Sequence, residues 1–420
     1  MAAPVGAIVD RRELRRQSPF PTERSQVISP LYLALTSMLA QQSLATLGRS
    51  TIPLVASVIV ADLAIDPALV GVYLSLGSAA GFVSTMAVGG FILRFGALRM
   101  TQFGMLMLGL GLAVGATGWL PLFALGALAA GLGQAVSTPA SSHLLGRFSP
   151  PRLAPLMFSI KQTGVPAGLM LAGLIAPALV SLGGWKLAVL GIAAISWATA
   201  LALQPLRARF DDDRNPGHPL SPADIRDNLR GVLGNPALRR LCFTMFAFVG
   251  LQSLFTGFFA LYLVRGLGYE LATAGGVFAI AVAVAVPARI GWGWLASRFV
   301  APQVLLAALG VTMAAATGLV AAVEPGSPVW MLVVAASVLS ATGVSWHGVL
   351  LAEVARLSPP GRVGGTTGAV LAFGDAGSLV MPLMFGATLA LSGGYRVGFL
   401  MGAVPALLVG IHGLIAPRRA

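Results

Sequence analysis

The sequence predicts an all-α membrane protein built from twelve transmembrane helices in two related six-helix bundles. Three observations predict it. Of 420 residues, 56% are hydrophobic and 10% charged, with a mean hydropathy of +0.85, so the solvent around this chain is lipid rather than water. The apolar residues fall into stretches of about 20, the length needed to cross a hydrocarbon layer of about 30 Å as a helix. A pattern in the first half also returns about 200 residues later. Arg147, Phe148, Ser149, Pro150, Pro151 and Arg152 precede an apolar helix that ends at Gly183, Gly184, Trp185 and Lys186. Arg356, Leu357, Ser358, Pro359, Pro360, Gly361 and Arg362 precede one that ends at Gly393, Gly394, Tyr395 and Arg396.

In chain order, residues 1–29 read as a basic, turn-rich tail. Its paired arginines suit an export signal, but the next apolar run is too long for one and a second run comes soon after. The N-terminal bundle, 30–205, carries spans near 30–51, 69–91, 101–119, 121–143, 156–181 and 186–204. A polar linker, 206–239, contains the acidic run Asp211, Asp212 and Asp213. In it, Ser221, Pro222, Ala223 and Asp224 make a helix start, with Ser at the cap and Pro at the first position, which predicts a short amphipathic surface helix acting as a tether. The C-terminal bundle, 240–415, carries spans near 240–264, 272–295, 303–323, 328–352, 364–391 and 396–415, and 416–420 is a second tail.

Charge sets the expected orientation. Of the 27 Lys and Arg residues, 21 fall on the face shared by both termini and three (Lys186, Arg265, Arg396) on the other. Because cations are retained in the cytoplasm, both termini are expected there, in a cell's inner membrane. A sequence pI near 11.3 does not indicate nucleic-acid binding, since the cations are dispersed between apolar spans. The single cysteine, Cys242, excludes an internal disulfide, and four scattered histidines suggest no metal site. No cofactor is expected.

The connection between spans 2 and 3 reads Gly89, Gly90, Phe91, Ile92, Leu93, Arg94, Phe95, Gly96, with Arg99 beyond, and that between spans 8 and 9 reads Gly293, Trp294, Leu295, Ala296, Ser297, Arg298, Phe299. Both resemble the loop signature of the major facilitator superfamily of transporters, in which a glycine is followed four residues later by an acid, then Arg, an aromatic and Gly. Leu93 and Ser297 stand in the acid's place, which removes the usual charge relay and leaves Arg94 and Arg298 as gating candidates. The resemblance extends over all twelve spans. It implies two bundles that rock about a central site, an economical design because each arrangement of two similar bundles buries nearly equivalent contacts. The glycines and prolines of span 5 (Gly164, Pro166, Gly168, Gly173, Pro177) partly resemble the glycine-proline motif of antiporters.

Ionisable residues inside spans are costly, so they mark function. Five qualify: Arg49, Lys161, Arg289, Glu353 and Asp375. Arg289, in Val286, Pro287, Ala288, Arg289, Ile290, Gly291, resembles the arginine that takes the substrate carboxylate in monocarboxylate and oxalate-type members, a task its planar fork suits. Ala285 stands where many such carriers have a coupling aspartate. The other reading of Arg289 is a structural ion pair with Glu353. In the family's architecture helices 5 and 8 face each other, so Lys161 and Arg289 would repel unless an anion came between them. Otherwise Lys161 snorkels to the interface. Arg49, seven residues past the amides Gln41 and Gln42, either recruits an anion or snorkels. Asp375, at mid-depth, is the candidate proton carrier or a helix-packing acid. Glu353, one turn before Arg356, reads as a gate salt bridge. Gln162, Thr163, Gln252, Trp346 and His347 could line the cavity by hydrogen bonding or stacking.

The expected protein is therefore a monomeric secondary transporter of a small monocarboxylate-like anion, with proton symport. No Walker-type loop supplies an ATP motor. The rivals are efflux of hydrophobic compounds by proton antiport and, from another class, a non-transporting receptor or scaffold.

Overall fold

The computed structural model describes residues 30–149, 154–218, 223–358 and 363–415. The two tails, the proline hinges at 150–153 and 359–362 and the helix start at Ser221 and Pro222 lie outside the described residues.

The N-terminal bundle begins with α1 (Pro30–Leu54) and α2 (Ala56–Asp62), bent 43° at Val55 into one broken span. It continues with α3 (Leu69–Phe95), α4 (Ala97–Gly115), α5 (Leu120–Ala135) with α6 (Ser137–Phe148), and α7 (Ala154–Gln162) with α8 (Gly164–Ala202). The last is two spans in one assignment. At Gly183 and Gly184 (φ 77°) the helix breaks, and a Cβ on Gly191 would lie 3.6 Å from Leu179. Twelve residues of straight helix would separate those positions by about 18 Å, so the chain has reversed. After α9 (Arg207–Phe210) comes the linker helix α10 (Ala223–Gly234). The second bundle has α11 (Pro236–Leu261), α12 (Leu271–Ala283) with α13 (Ala285–Arg298), α14 (Pro302–Ala322), α15 (Val329–Gly343) with α16 (His347–Leu357), α17 (Val363–Ser392) and α18 (Tyr395–Ile415). Ten helices among the described residues are long and apolar enough to cross a membrane, or eleven with the bent pair, and the reversal at Gly184 adds one more pass. The chain is an all-helical, multi-pass membrane protein with the expected two-bundle architecture.

Several spans are broken, and proline explains three of the breaks. The interruptions at Val136, Thr163 and Val284 each precede a proline by three residues: Pro139, Pro166 and Pro287. Proline has no N–H, so the carbonyl four residues back loses its intrahelical partner and the helix kinks there.

Glycine packing exposes the duplication. A Cβ on Gly168 would fall 2.2 Å from the carbonyl of Ser43, joining spans 5 and 1, and one on Gly377 would fall 2.2 Å from that of Phe246, joining spans 11 and 7. The same correspondence holds between bundles. Gly71 of α3 lies against the Pro382 carbonyl of α17 (2.3 Å to a built Cβ), and Gly275 of α12 against the Gly173 carbonyl of α8 (2.4 Å). These contacts lie toward the ends of the spans away from the chain termini. The bundles are therefore sealed backbone to backbone at that face, the opposite face, where Ser75 also donates to the Leu379 carbonyl at 2.7 Å.

At the termini face the acidic run does more than link. Asp211 accepts from the amides of Leu98 (2.7 Å) and Arg99 (2.9 Å), capping α4, and lies so close to Gly96 (φ 102°) that a Cβ there would sit 2.3 Å from its carboxyl carbon. Asp212 and Asp213 pair with Arg147 at 2.5 and 3.1 Å, and Asp213 meets His143 at 2.8 Å. The residues after span 6 thus clasp the ends of spans 3 and 4.

Candidate functional site

The site is assembled at helix breaks. Pro166 cannot donate to the carbonyl of Gln162, which ends α7, and α15 ends at Gly343, leaving the carbonyl of Val344 beyond it. Carbonyls at such ends have no intrahelical partner and carry the negative end of the helix dipole. Arg289, 8% exposed, reaches both: Nη1 donates to the Gln162 carbonyl across the bundle interface at 2.9 Å, and Nη2 to the Val344 carbonyl at 2.6 Å. Its Nε is buried without an acceptor. Arg289 is therefore held by main-chain dipoles rather than by an acid, and the ion pair with Glu353 does not form. Glu353 instead receives Arg356 Nε at 2.8 Å and Nη2 at 2.5 Å together with the amide of Gln303, all within the second bundle.

Lys161, 1% exposed, donates from Nζ to Oε1 of Gln42 at 2.9 Å and lies 3.5 Å from Oε1 of Gln162. It does not snorkel to an interface. Gln162 consequently touches both cations, with its side chain toward Lys161 and its carbonyl on Arg289. Among the described residues, no carboxylate pairs with either. His347 also feels the Arg289 charge, and its Nδ1 is buried without a partner.

A second polar centre lies farther along the interface. Arg49 is seven residues, about 10 Å, beyond Gln42 on α1. It is exposed rather than packed, and its electrostatic partner is Asp375 of α17, with which it makes no direct ion pair. Thr85 of α3 faces the same carboxyl, and Oδ2 of Asp375 is a buried oxygen without a hydrogen bond. Oε1 of Gln252 on α11 is likewise unpaired.

Other candidates lie elsewhere. Trp346 is fully buried, donates to the Gly343 carbonyl at 2.8 Å, packs edge-on to Phe248 and stacks on His347 at 3.9 Å. It belongs to the core of the second bundle and offers no free edge to a solute, which corrects its expected place in the cavity. Thr163 donates to the Ile160 carbonyl at 2.6 Å. Arg94 is exposed over the Phe95 ring at 5.6 Å, and Arg298 is exposed at the end of α13. Neither forms an ion pair among the described residues. Gln42 and Thr85 are contacts that the sequence did not single out. Gln42 had a signal, an amide in an apolar helix, and Pro166 marked the carbonyl that Arg289 uses.

A family model described as Major Facilitator Superfamily matches residues 38–355. Over 155 residues the chain is 34% identical to the probable nitrate/nitrite transporter NarK2 of Mycobacterium tuberculosis, found in two strains, a stretch that covers 37% of this chain and 38% of that relative's length. Two crystal structures of a bacterial homologue of the human lysosomal transporter Spinster, both inward-facing, one occupied and one unoccupied, superpose with TM-scores of 0.71 and 0.73. Identity is 17% and 18%, and the match covers 92% of this chain and 97% of each of theirs, a likeness of fold.

Proposed function

The chain belongs to the major facilitator superfamily, and on that premise we propose that the solute it carries is a small mono-anion, a carboxylate or an oxyanion of similar size. It is a transport protein and not an enzyme. One observation carries the choice of an anion: two buried cations from opposite bundles, Lys161 and Arg289, meet through Gln162 with no acid pairing either among the described residues. Uncompensated buried charge costs several kcal/mol, and an arriving anion removes that cost at the site itself. The name of the M. tuberculosis relative agrees with an anionic solute.

The mechanism is alternating access by rocking of the bundles. Arg289 is both ligand and latch. With the site empty its guanidinium is occupied by the Gln162 and Val344 carbonyls, and an anion competes for the same donors. Binding therefore exchanges a contact between bundles for one with the solute, and this couples occupancy to rocking. Asp375 carries the proton, with Arg49 as the charge that faces it. The protein works as a monomer in the inner membrane with both termini in the cytoplasm, a reading supported by the excess of Lys and Arg in the sequence segments on the termini side.

Purified protein is tested for thermal stabilisation by nitrate, nitrite, formate, acetate and lactate, and then for uptake in proteoliposomes of whichever anion stabilises it. Arg289→Gln is expected to abolish uptake, with its unfolding transition still cooperative. Uptake with unaltered KM and kcat would remove the arginine from the site.

A further inference from the structure

Three cations stand at the opposite face, and two are engaged. Lys186 lies over the Trp185 ring at 5.6 Å, and Arg396 binds the carbonyls of Ala321 (2.8 Å) and Ala322 (3.2 Å) and the carboxylate of Glu324 (3.2 Å). Arg265 is exposed and has no hydrogen bond or ion pair among the described residues. It sits on an unusual piece of backbone. Residues Tyr262–Gly266 form one π turn at the end of span 7, in which the Leu267 amide reaches back to the Tyr262 carbonyl at 3.0 Å. The extra residue rotates the end of the span out of α-helical register, and such turns are commonly kept for a functional placement.

That turn places Arg265 on the wall of a shallow, open hollow of about 580 Å³ lined by both bundles. Val60, Ala61, Ala64, Ile65 and Pro67 of the connection between spans 1 and 2 form one side, and Arg265 and Tyr395 the other. Ala64 holds φ 50°, a value rare for a residue with a side chain, so the far wall is also locally strained. Gly71, packed on the Pro382 carbonyl, follows the lining residue Pro67 by four positions, so the seal between bundles begins beside this hollow. The nearby acid Asp66, next to the lining residues Ile65 and Pro67, accepts the Ala68 amide at 2.8 Å and its charge bears on Tyr395.

We propose that this cavity is an anion-collecting vestibule. In it the guanidinium of Arg265 and the hydroxyl of Tyr395 hold a small mono-anion weakly, above the seal, before it reaches Lys161 and Arg289. This rests on the anionic solute proposed above and adds to it a separate outer site. A cation at an open mouth raises the local anion concentration and the encounter rate, whereas full burial would trap the anion.

The test is uptake of nitrate, nitrite, formate, acetate and lactate into proteoliposomes, at ionic strengths of about 0.01 M and about 0.15 M set with a bulky sulfonate salt. Between them the screening length falls from about 30 Å to about 8 Å. For the anion carried, wild-type kcat/KM is expected to fall with ionic strength. Arg265→Gln should lower it about three- to tenfold at low ionic strength, leave kcat unchanged and flatten the salt response, while Arg265→Lys keeps both. Asp66→Asn should raise kcat/KM. If Arg265→Gln matches wild type in kcat/KM and in salt response while Arg289→Gln is inactive, the vestibule is overturned and the anionic solute stands. If Arg265→Gln and Asp66→Asn each slow kcat and the double variant is no slower than either, the two residues form a gate pair and the vestibule is again overturned. If wild type carries none of these anions, both proposals fail.

Discussion

A guanidinium bonded to two main-chain carbonyls and to no acid behaves differently from one in a salt bridge. At Arg289 the acceptors are dipoles at helix ends, which hold the guanidinium in place without neutralising its charge. Lys161 shows the same economy, resting on the amide oxygen of Gln42. Asp375 is the complementary case, a carboxyl with one unpaired oxygen that faces Thr85 and the Arg49 charge. If it carries the proton, Asp375→Asn should abolish accumulation driven by a pH gradient while exchange of labelled solute across the membrane persists. Undiminished accumulation in that variant would assign the aspartate to packing.

Among the elements, the segment after span 6 takes a part that the loop between spans 2 and 3 has lost. Leu93 stands where the superfamily loop has an acid, and Asp211 supplies a carboxylate at the start of α4 from elsewhere in the chain. Gly96 is what admits it, because at φ 102° it has neither the strain nor the Cβ that would strike Asp211. Loss of a helix cap costs about 0.5–2 kcal/mol, so Asp211→Ala and Gly96→Ala should each lower the midpoint of thermal unfolding by a few degrees, with KM for the solute unchanged. The neighbouring bridge gives this clasp an acid limit. Hydrogen bonding to Arg147 holds the Asp212 carboxyl below the usual carboxylate range, so its contribution is full above about pH 4 and is lost as pH falls through the lowered value. Asp211 opposes this, since burial pushes its carboxyl up and favours the protonated form on folding. Asp212→Asn should therefore remove part of the stability lost on acidification below about pH 4, as read by thermal midpoints across that range.

For the whole molecule, the seal at the opposite face is pseudo-symmetric, with span 2 on span 11 and span 8 on span 5. Both contacts press a glycine on a backbone carbonyl, which cannot move aside as a flexible side chain can. A bulky residue there forces the bundles apart at that face, with an overpacking cost of about 1–3 kcal/mol. Gly275→Leu should accordingly shift the population toward the state open at the opposite face. A cysteine at Thr85, introduced after Cys242→Ala, should then be labelled by a membrane-impermeant maleimide about tenfold faster or more from that face. Unchanged labelling would show that the seal is not the barrier.

Much of this was legible in the chain. Hydropathy and the repeat of the hinge residues revealed the spans and the duplication, because lipid demands apolar helices of a set length whatever they pack against. The cost of charge in a span picked out Arg49, Lys161, Arg289 and Asp375 one by one, since that cost is local. Partnership was not legible. Glu353 and Arg289 looked equally able to pair, and Trp346 looked as available as His347, until packing placed Glu353 on Arg356 and Trp346 in the core.

The amino-acid sequence by itself thus determined the solvent, the helices, the two-fold repeat and which side chains bear unusual charge, all consequences of composition and spacing along one chain. Only the tertiary structure decided which charges meet. The carbonyl freed by Pro166 lies 127 residues from the arginine that uses it, and Asp211 reaches an amide 113 residues away. Such pairings depend on how two bundles are set against each other in space, and no periodicity within a helix encodes that.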